Sequence, residues 1–172
     1  MDMAPIPEDA EMAARTVTLP HETLQTCRHG RNILIAIDHG PDSRRAFEWA
    51  LFNLVRMADT IHLVHVLPAN LNQDDASVIM QATEVLFDKL QKEAYEVAMV
   101  KTERHIIEGD PGKVLSHESA RLEPAAVVMG CRGRSLVKSM LLGSVSEYCT
   151  RHCLCPVIIV PHKVLNIGGD GI

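Results

Sequence analysis

The stretch from Gly130 to Ser146 concentrates residues suited to holding an anion. It reads Gly130-Cys131-Arg132-Gly133-Arg134, runs through Lys138, and closes on Gly143-Ser144-Val145-Ser146. Glycine lets a backbone turn tightly and approach a ligand with no Cβ in between. Successive backbone N–H groups, backed by the amino end of a helix, form a cradle best matched by phosphate. Arg132, Arg134 and Lys138 add positive charge to the same loop. The hydroxyls of Ser144 and Ser146 suit phosphate oxygens or a metal ion that they carry. The stretch has neither the Gly-Lys-Ser/Thr ending of a Walker loop nor a GxGxxG run. Ser144 and Glu147 also spell Ser-x-x-Glu, a capping box. The expectation is therefore a capped helix start whose remaining amides face the anion.

The cysteines suggest a second chemistry. Cys149-Thr150-Arg151-His152-Cys153 places two thiols one helical turn apart beside a histidine. A zinc site asks for convergent ligands, usually as two Cys-x2-4-Cys pairs or with a His pair. Val145, Tyr148, Cys149 and Cys153 instead share one helical face, and a buried cysteine behaves as a small hydrophobe. Core packing is the preferred reading, with no metal. Cys131, set among arginines, has the surroundings of a redox-sensitive thiol, a reading that ranks below anion binding. His62 and His65 read as histidines of the core or of a sheet face.

The elements that must position these residues alternate from Arg31 onward. Residues 32–38 form a short continuous apolar run, the mark of a strand buried on both faces. A turn at His39-Gly40-Pro41 follows, with Asp42 or Ser43 as helix cap. Ala46, Trp49, Ala50, Leu54 and Met57 then recur at helical spacing. A second strand spans 61–67. A long helix follows with the stripe Ile79, Ala82, Leu86, Leu90, Ala94 and Val97. The third strand, 102–107, is more polar and belongs at a sheet edge. Asp110 caps the next helix and Pro111 takes its first position. A fourth strand over 125–129, a helix over 145–153 and a fifth strand over 157–160 complete the series. Strands alternating with helices spell a parallel sheet covered on both faces, one α/β domain of the Rossmann-like, doubly wound kind. Ligands in such sheets sit beyond the carboxyl ends of the strands, where the winding reverses.

Composition narrows the function classes. Hydrophobic residues make up 47% of the 172 but aromatics only 3%, so the core is aliphatic. The formal net charge of −5 gives no footprint for nucleic acid or an anionic membrane. No run reaches the roughly 18–20 apolar residues of a membrane span. The acidic start carries no secretory h-region, which leads to the expectation of a cytoplasmic protein with reduced cysteines. Residues 1–29 read as a partly disordered arm, with Val17-Thr18-Leu19 as a short extended piece, 30–162 as the domain, and 163–172 as a tail.

Gly-x2-Gly-x9-Gly-Ser, matched by Gly130, Gly133, Gly143 and Ser144, resembles the nucleotide-binding pattern of the ATP-binding branch of the universal stress proteins. The resemblance spans roughly 31–161. It takes in Ala36-Ile37-Asp38 at the end of the first strand and Leu-Val-His-Val in the second, and it looks most like single-domain plant members. It implies an adenine nucleotide α-hydrolase-like sheet of order 3-2-1-4-5, with the crevice between strands 1 and 4. It further implies ATP, or AMP or ADP, with Mg2+ carried through the phosphates. Ala36, Ile37 and Asp38 would flank the adenosine, and the Val66 backbone would meet adenine. Gly130 and Gly133 would pass ribose and phosphate, between Arg132 and Arg134. Gly143, Ser144, Val145 and Ser146 would hold the phosphates. His39-Gly40 departs from the small hydroxyl residue that many members carry there. The resemblance also implies a homodimer through 156–161, whose strand is apolar on both faces and lies at the sheet edge.

The leading expectation is thus an intracellular nucleotide-binding module for stress response, with at most slow hydrolysis. Asp38, His39 and Glu147 are candidates for a general base only by elimination. The alternatives are an adenine-nucleotide-hydrolysing enzyme of the same superfamily and a cysteine-based redox or metal protein. Against the first stands the absence of SGGxDS or of the HIGH and KMSKS pair.

Overall fold

The computed structural model describes residues 30–131 and 142–161. The arm over 1–29, the loop residues Arg132, Gly133, Arg134 and Lys138, and the tail over 163–172 lie outside the described residues. Five strands form one parallel sheet: β1 (Asn32–Ala36), β2 (Thr60–Leu67), β3 (Lys101–Glu108), β4 (Ala126–Gly130) and β5 (Val157–Val160). The connecting helices are α1 (Pro41–Asn53), α2 (Gln73–Ala98), α3 (Pro111–Leu122) and α4 (Ser144–His152). The strand order is β3-β2-β1-β4-β5, as the resemblance implies.

Successive residues of a strand point to opposite faces, and both faces are dry here. Ile33, Ile35, Ile61, Leu63 and Val128 pack with Phe47 and Ala50 of α1 and with Phe87, Leu90 and Ala94 of α2. Leu34, Val64, Val127 and Met129 pack on the other face with Leu115 of α3 and Cys149 of α4. This is why β1 and β4 read as unbroken apolar runs. The polar β3 lies at one edge, as expected, and the apolar β5 at the other.

Several local expectations are corrected. Neither Asp42 nor Ser43 caps α1: the N-cap is Gly40, with no side-chain cap, and Pro41 begins the helix. Asp42 and Ser43 are buried instead. The helix ends at Asn53, Met57 is exposed, and the buried face includes Phe47 and Leu51. The buried stripe of α2 is Thr83, Phe87, Leu90 and Ala94, while Ala82 and Val97 face solvent. At α3 the expectation holds: the Asp110 side chain accepts from Lys113 N at 3.0 Å, and Pro111 opens the helix.

Candidate functional site

β1 lies between β2 and β4, and the chain leaves it on opposite sides in the two halves of the sheet. The end of β1 beside the end of β4 is therefore the switch point where such folds bind ligands. Ala36, Ile37, Asp38, Val66, Gly130, Gly143, Ser144, Val145 and Ser146 all fall at or just beyond the carboxyl ends of strands or at the start of α4. Ala36 and Val66 pack on the α3 side of the sheet and Ile37 on the α2 side.

A closed foot carries the glycine loop. Cys131 N donates to Val160 O at 3.1 Å, and Gly143 N donates to Cys131 O at 2.8 Å. The two ends of the loop therefore meet at one point above β4. Ser146 is buried, and its hydroxyl donates to Gly130 O at 3.1 Å, tying α4 to the end of β4. Gly130 itself is tightly enclosed. A Cβ there would lie 2.8 Å from the backbone carbon of Asp42, so α1 begins where a side chain would stand.

The capping box is not formed. Gly143 is the N-cap of α4, without a side-chain cap, which puts Ser144 at the first helical position and exposes it. Glu147 pairs with Arg151 at 2.6 Å, one turn on. The first-turn amides of Ser144, Val145 and Ser146 have no intrahelical acceptor, as at any helix start. With no side-chain cap from Gly143, they suit an anion.

Beside β1, Asp38 Oδ1 accepts from Gly40 N at 2.8 Å, and Ser43 Oγ lies 2.9 Å from Asp38 O. These bonds shape the turn from β1 into α1. A cleft of about 380 Å3 opens here on the α2 side, lined by Ile37, Asp38, His39, Gly40, Arg44 and Leu86 among others. His39 Nε2 meets Thr83 Oγ1 at 3.0 Å, and the Thr83 hydroxyl donates to Ile79 O. Thr83 Oγ1 therefore accepts from the imidazole, which explains a polar residue buried on α2. The three residues left as candidate bases are thus engaged: Asp38 by a turn amide, His39 by Thr83, and Glu147 by Arg151.

The cysteines pack. Burial, reinforced by Cys153, pushes the Cys149 thiol up to about 12, so it stays protonated at neutral pH. His152 Nδ1 donates to Tyr148 O at 2.8 Å and its ring stacks on Tyr148 at 3.9 Å. Cys131 is buried, with Sγ 3.6 Å from Asp42 Oδ2.

A five-stranded parallel sheet of this order, with its winding reversed between β1 and β4, defines a Rossmann-like domain of the adenine nucleotide α-hydrolase type. The comparisons agree. Residues 30–161 match the model of the universal stress protein family. Universal stress protein PHOS32 of Arabidopsis thaliana is 30% identical over 81% of this chain and 72% of its own length. Universal stress protein UspA from Lactobacillus plantarum superposes with a TM-score of 0.69 at 18% identity, over 77% of this chain and 98% of that one. A universal stress protein family protein from Arabidopsis thaliana, solved with AMP bound, gives a TM-score of 0.57 at 22% identity, over 81% of this chain and 97% of that one. At such identities the structures speak for the fold alone. The chain belongs to the universal stress protein family.

Proposed function

We propose that this chain binds ATP, with Mg2+ carried on the phosphates, as a regulatory module of the stress-response kind in the cytoplasm. The observation that carries the reading is the closed foot of the glycine loop at the β1/β4 switch point, with the uncapped start of α4 beside it. Adenosine would lie against Ile37 and Asp38 with the Val66 backbone at the base. The phosphates would take the amides of Ser144, Val145 and Ser146, with Gly133, Arg132 and Arg134 supplied by the loop. The AMP held by the structural relative supports the adenine end of this arrangement and leaves the triphosphate as this chain's own prediction. Hydrolysis is slow or absent on this reading, because Asp38, His39 and Glu147 have other partners. The family's usual edge pairing and the outward amides of β5 support a homodimer through 156–161.

Gly143→Ala tests the phosphate cradle. Gly143 has φ −75, which any residue adopts, so the substitution brings no backbone strain. It should cost no more than about 1 kcal/mol through the poorer N-cap, while the added Cβ obstructs the phosphates. Calorimetry with ATP, ADP and AMP reads the result. Unchanged ATP affinity in the folded variant, or wild-type protein that binds none of the three, overturns the reading.

A further inference from the structure

Away from the crevice, the β2–β3 edge brings together three side chains that the proposed nucleotide chemistry does not use. His62 on β2 stands opposite Glu103 on β3, and His105 lies two residues further along β3. Residues two apart on a strand share a face, and neighbouring strands run about 4.8 Å apart. The register thus sets an imidazole, a carboxylate and a second imidazole side by side on the face that α3 covers. Among the described residues, they are the group of three whose ligand atoms all lie within 4.8 Å of one another.

The separations fit a metal ion. His62 Nδ1 lies 3.1 Å from His105 Nε2 and 3.5 Å from Glu103 Oε2. Zinc bonds of about 2.0–2.1 Å in a tetrahedron place adjacent ligand atoms roughly 3.3 Å apart. The outer shell is also in place. His62 Nε2 lies 3.1 Å from Asn32 Oδ1, and Asn32 Nδ2 donates to Leu122 O at 2.9 Å. The amide orientation is fixed by that second bond, so Nε2 carries the proton and Nδ1 turns its lone pair toward the cluster. A ligating histidine whose other nitrogen is held this way is pre-oriented for a metal. Glu103 Oε1 takes Lys101 at 2.6 Å, which leaves Oε2 for the ion. The nearby Arg121 is paired with Glu118. The surrounding charges thus balance, two acids against two bases.

We propose that His62 Nδ1, His105 Nε2 and Glu103 Oε2 form a Zn2+ site, with water in the fourth position, clipping β3 to β2. Without the ion, His105 Nε2–H donates to His62 Nδ1. On binding, that proton moves to His105 Nδ1, so both imidazoles ligate in their neutral form. Glu103 and His105 are half-buried, which gives the ion a path from solvent, while His62 is buried beneath α3. An ion held only by the folded register stabilises the fold by mass action.

The test uses untagged, chelator-treated full-length protein without nucleotide. Titration with Zn2+ should show one ion per chain and a melting temperature that rises with added Zn2+ and continues to climb, logarithmically, in excess. His105→Ala and Glu103→Gln should each weaken binding roughly tenfold or more, with circular dichroism as for wild type. Co2+ substitution of wild-type protein should give the visible bands of a four-coordinate nitrogen–oxygen site without thiolate charge transfer. The proposal fails if micromolar Zn2+ does not bind, or if the folded variants bind as tightly as wild type. It also fails if the Co2+ spectrum carries thiolate bands, since the metal would then sit on the cysteines.

Discussion

Replacing Gly130 with alanine separates the architecture of the site from its chemistry. The new Cβ would lie 2.8 Å from both the backbone carbon and the Cβ of Asp42, and 2.9 Å from its carbonyl oxygen. Ordinary contacts between such atoms begin near 3.5 Å, so β4 and the first turn of α1 must part by more than half an ångström. Two of the three atoms are backbone, and no rotamer of Asp42 relieves them. Ser146 Oγ is bonded to Gly130 O, so the end of β4 has little freedom to yield. Overpacking of this kind costs about 1–3 kcal/mol. For a domain of this size, that lowers the melting temperature by roughly 2–12 °C. Urea titration followed by circular dichroism gives the cost as a lower midpoint at unchanged slope. The deficit should persist in Asp42→Ala/Gly130→Ala, because alanine keeps the backbone and the Cβ that collide. A single variant with the wild-type midpoint would refute the steric argument. Unchanged stability with loss of ATP binding would assign the glycine to the ligand instead of to α1.

The remaining predictions use the same assays. Ser146→Ala should cost about 0.5–1.5 kcal/mol through the lost bond to Gly130 O, whereas exposed Ser144→Ala should stay within about 0.5 kcal/mol of wild type; the reverse order would restore the capping box. Asp59 is 3% exposed, and although burial raises its pKa, bonds from the Arg31 side chain and from the Arg31 and Arg56 amides hold it below its ordinary value. Its contribution is thus complete above about pH 4 and is lost as pH falls through the lower folded value. The urea-midpoint gap between wild type and Asp59→Asn should accordingly narrow below about pH 4, and a gap that stays constant would contradict this. Ile159→Pro should give a folded monomer in sedimentation. Pro156 O and Val160 O accept from Val127 N and Cys131 N, which turns the Ile159 amide outward, away from β4. A folded dimer would place the interface elsewhere.

The order of elements was legible because β1 and β4 are apolar on both faces and the helices are punctuated by Asp110-Pro111 and by glycines. Strand order was not; it came with the family resemblance. Details that failed were contests between local partners. Glu147 had two choices, the amide behind it and Arg151 ahead, and the structure shows the second. Thr83 broke the apolar stripe of α2, yet it is fully buried because His39 and Ile79 O satisfy its hydroxyl. At the candidate site, the glycine spacing marked the loop, but the collision that forbids a side chain at Gly130 depends on where α1 begins. The His62–Glu103–His105 cluster was invisible for a similar reason. It joins two strands about 40 residues apart through a register that no single-sequence pattern prints.

The central position of β1 has a consequence for synthesis on the ribosome. It is the first strand of the sheet to emerge, and β2 and β3 can join it on one side as the chain lengthens. Its other edge, along Ile33, Leu34 and Ile35, must wait for residues 126–128, about ninety positions later. At roughly 5–20 residues per second, that edge stays open for about 5–20 s. During this interval the nascent chain presents unpaired backbone N–H and C=O groups flanked by apolar side chains, and the half-built sheet is the species that chaperones would need to shield.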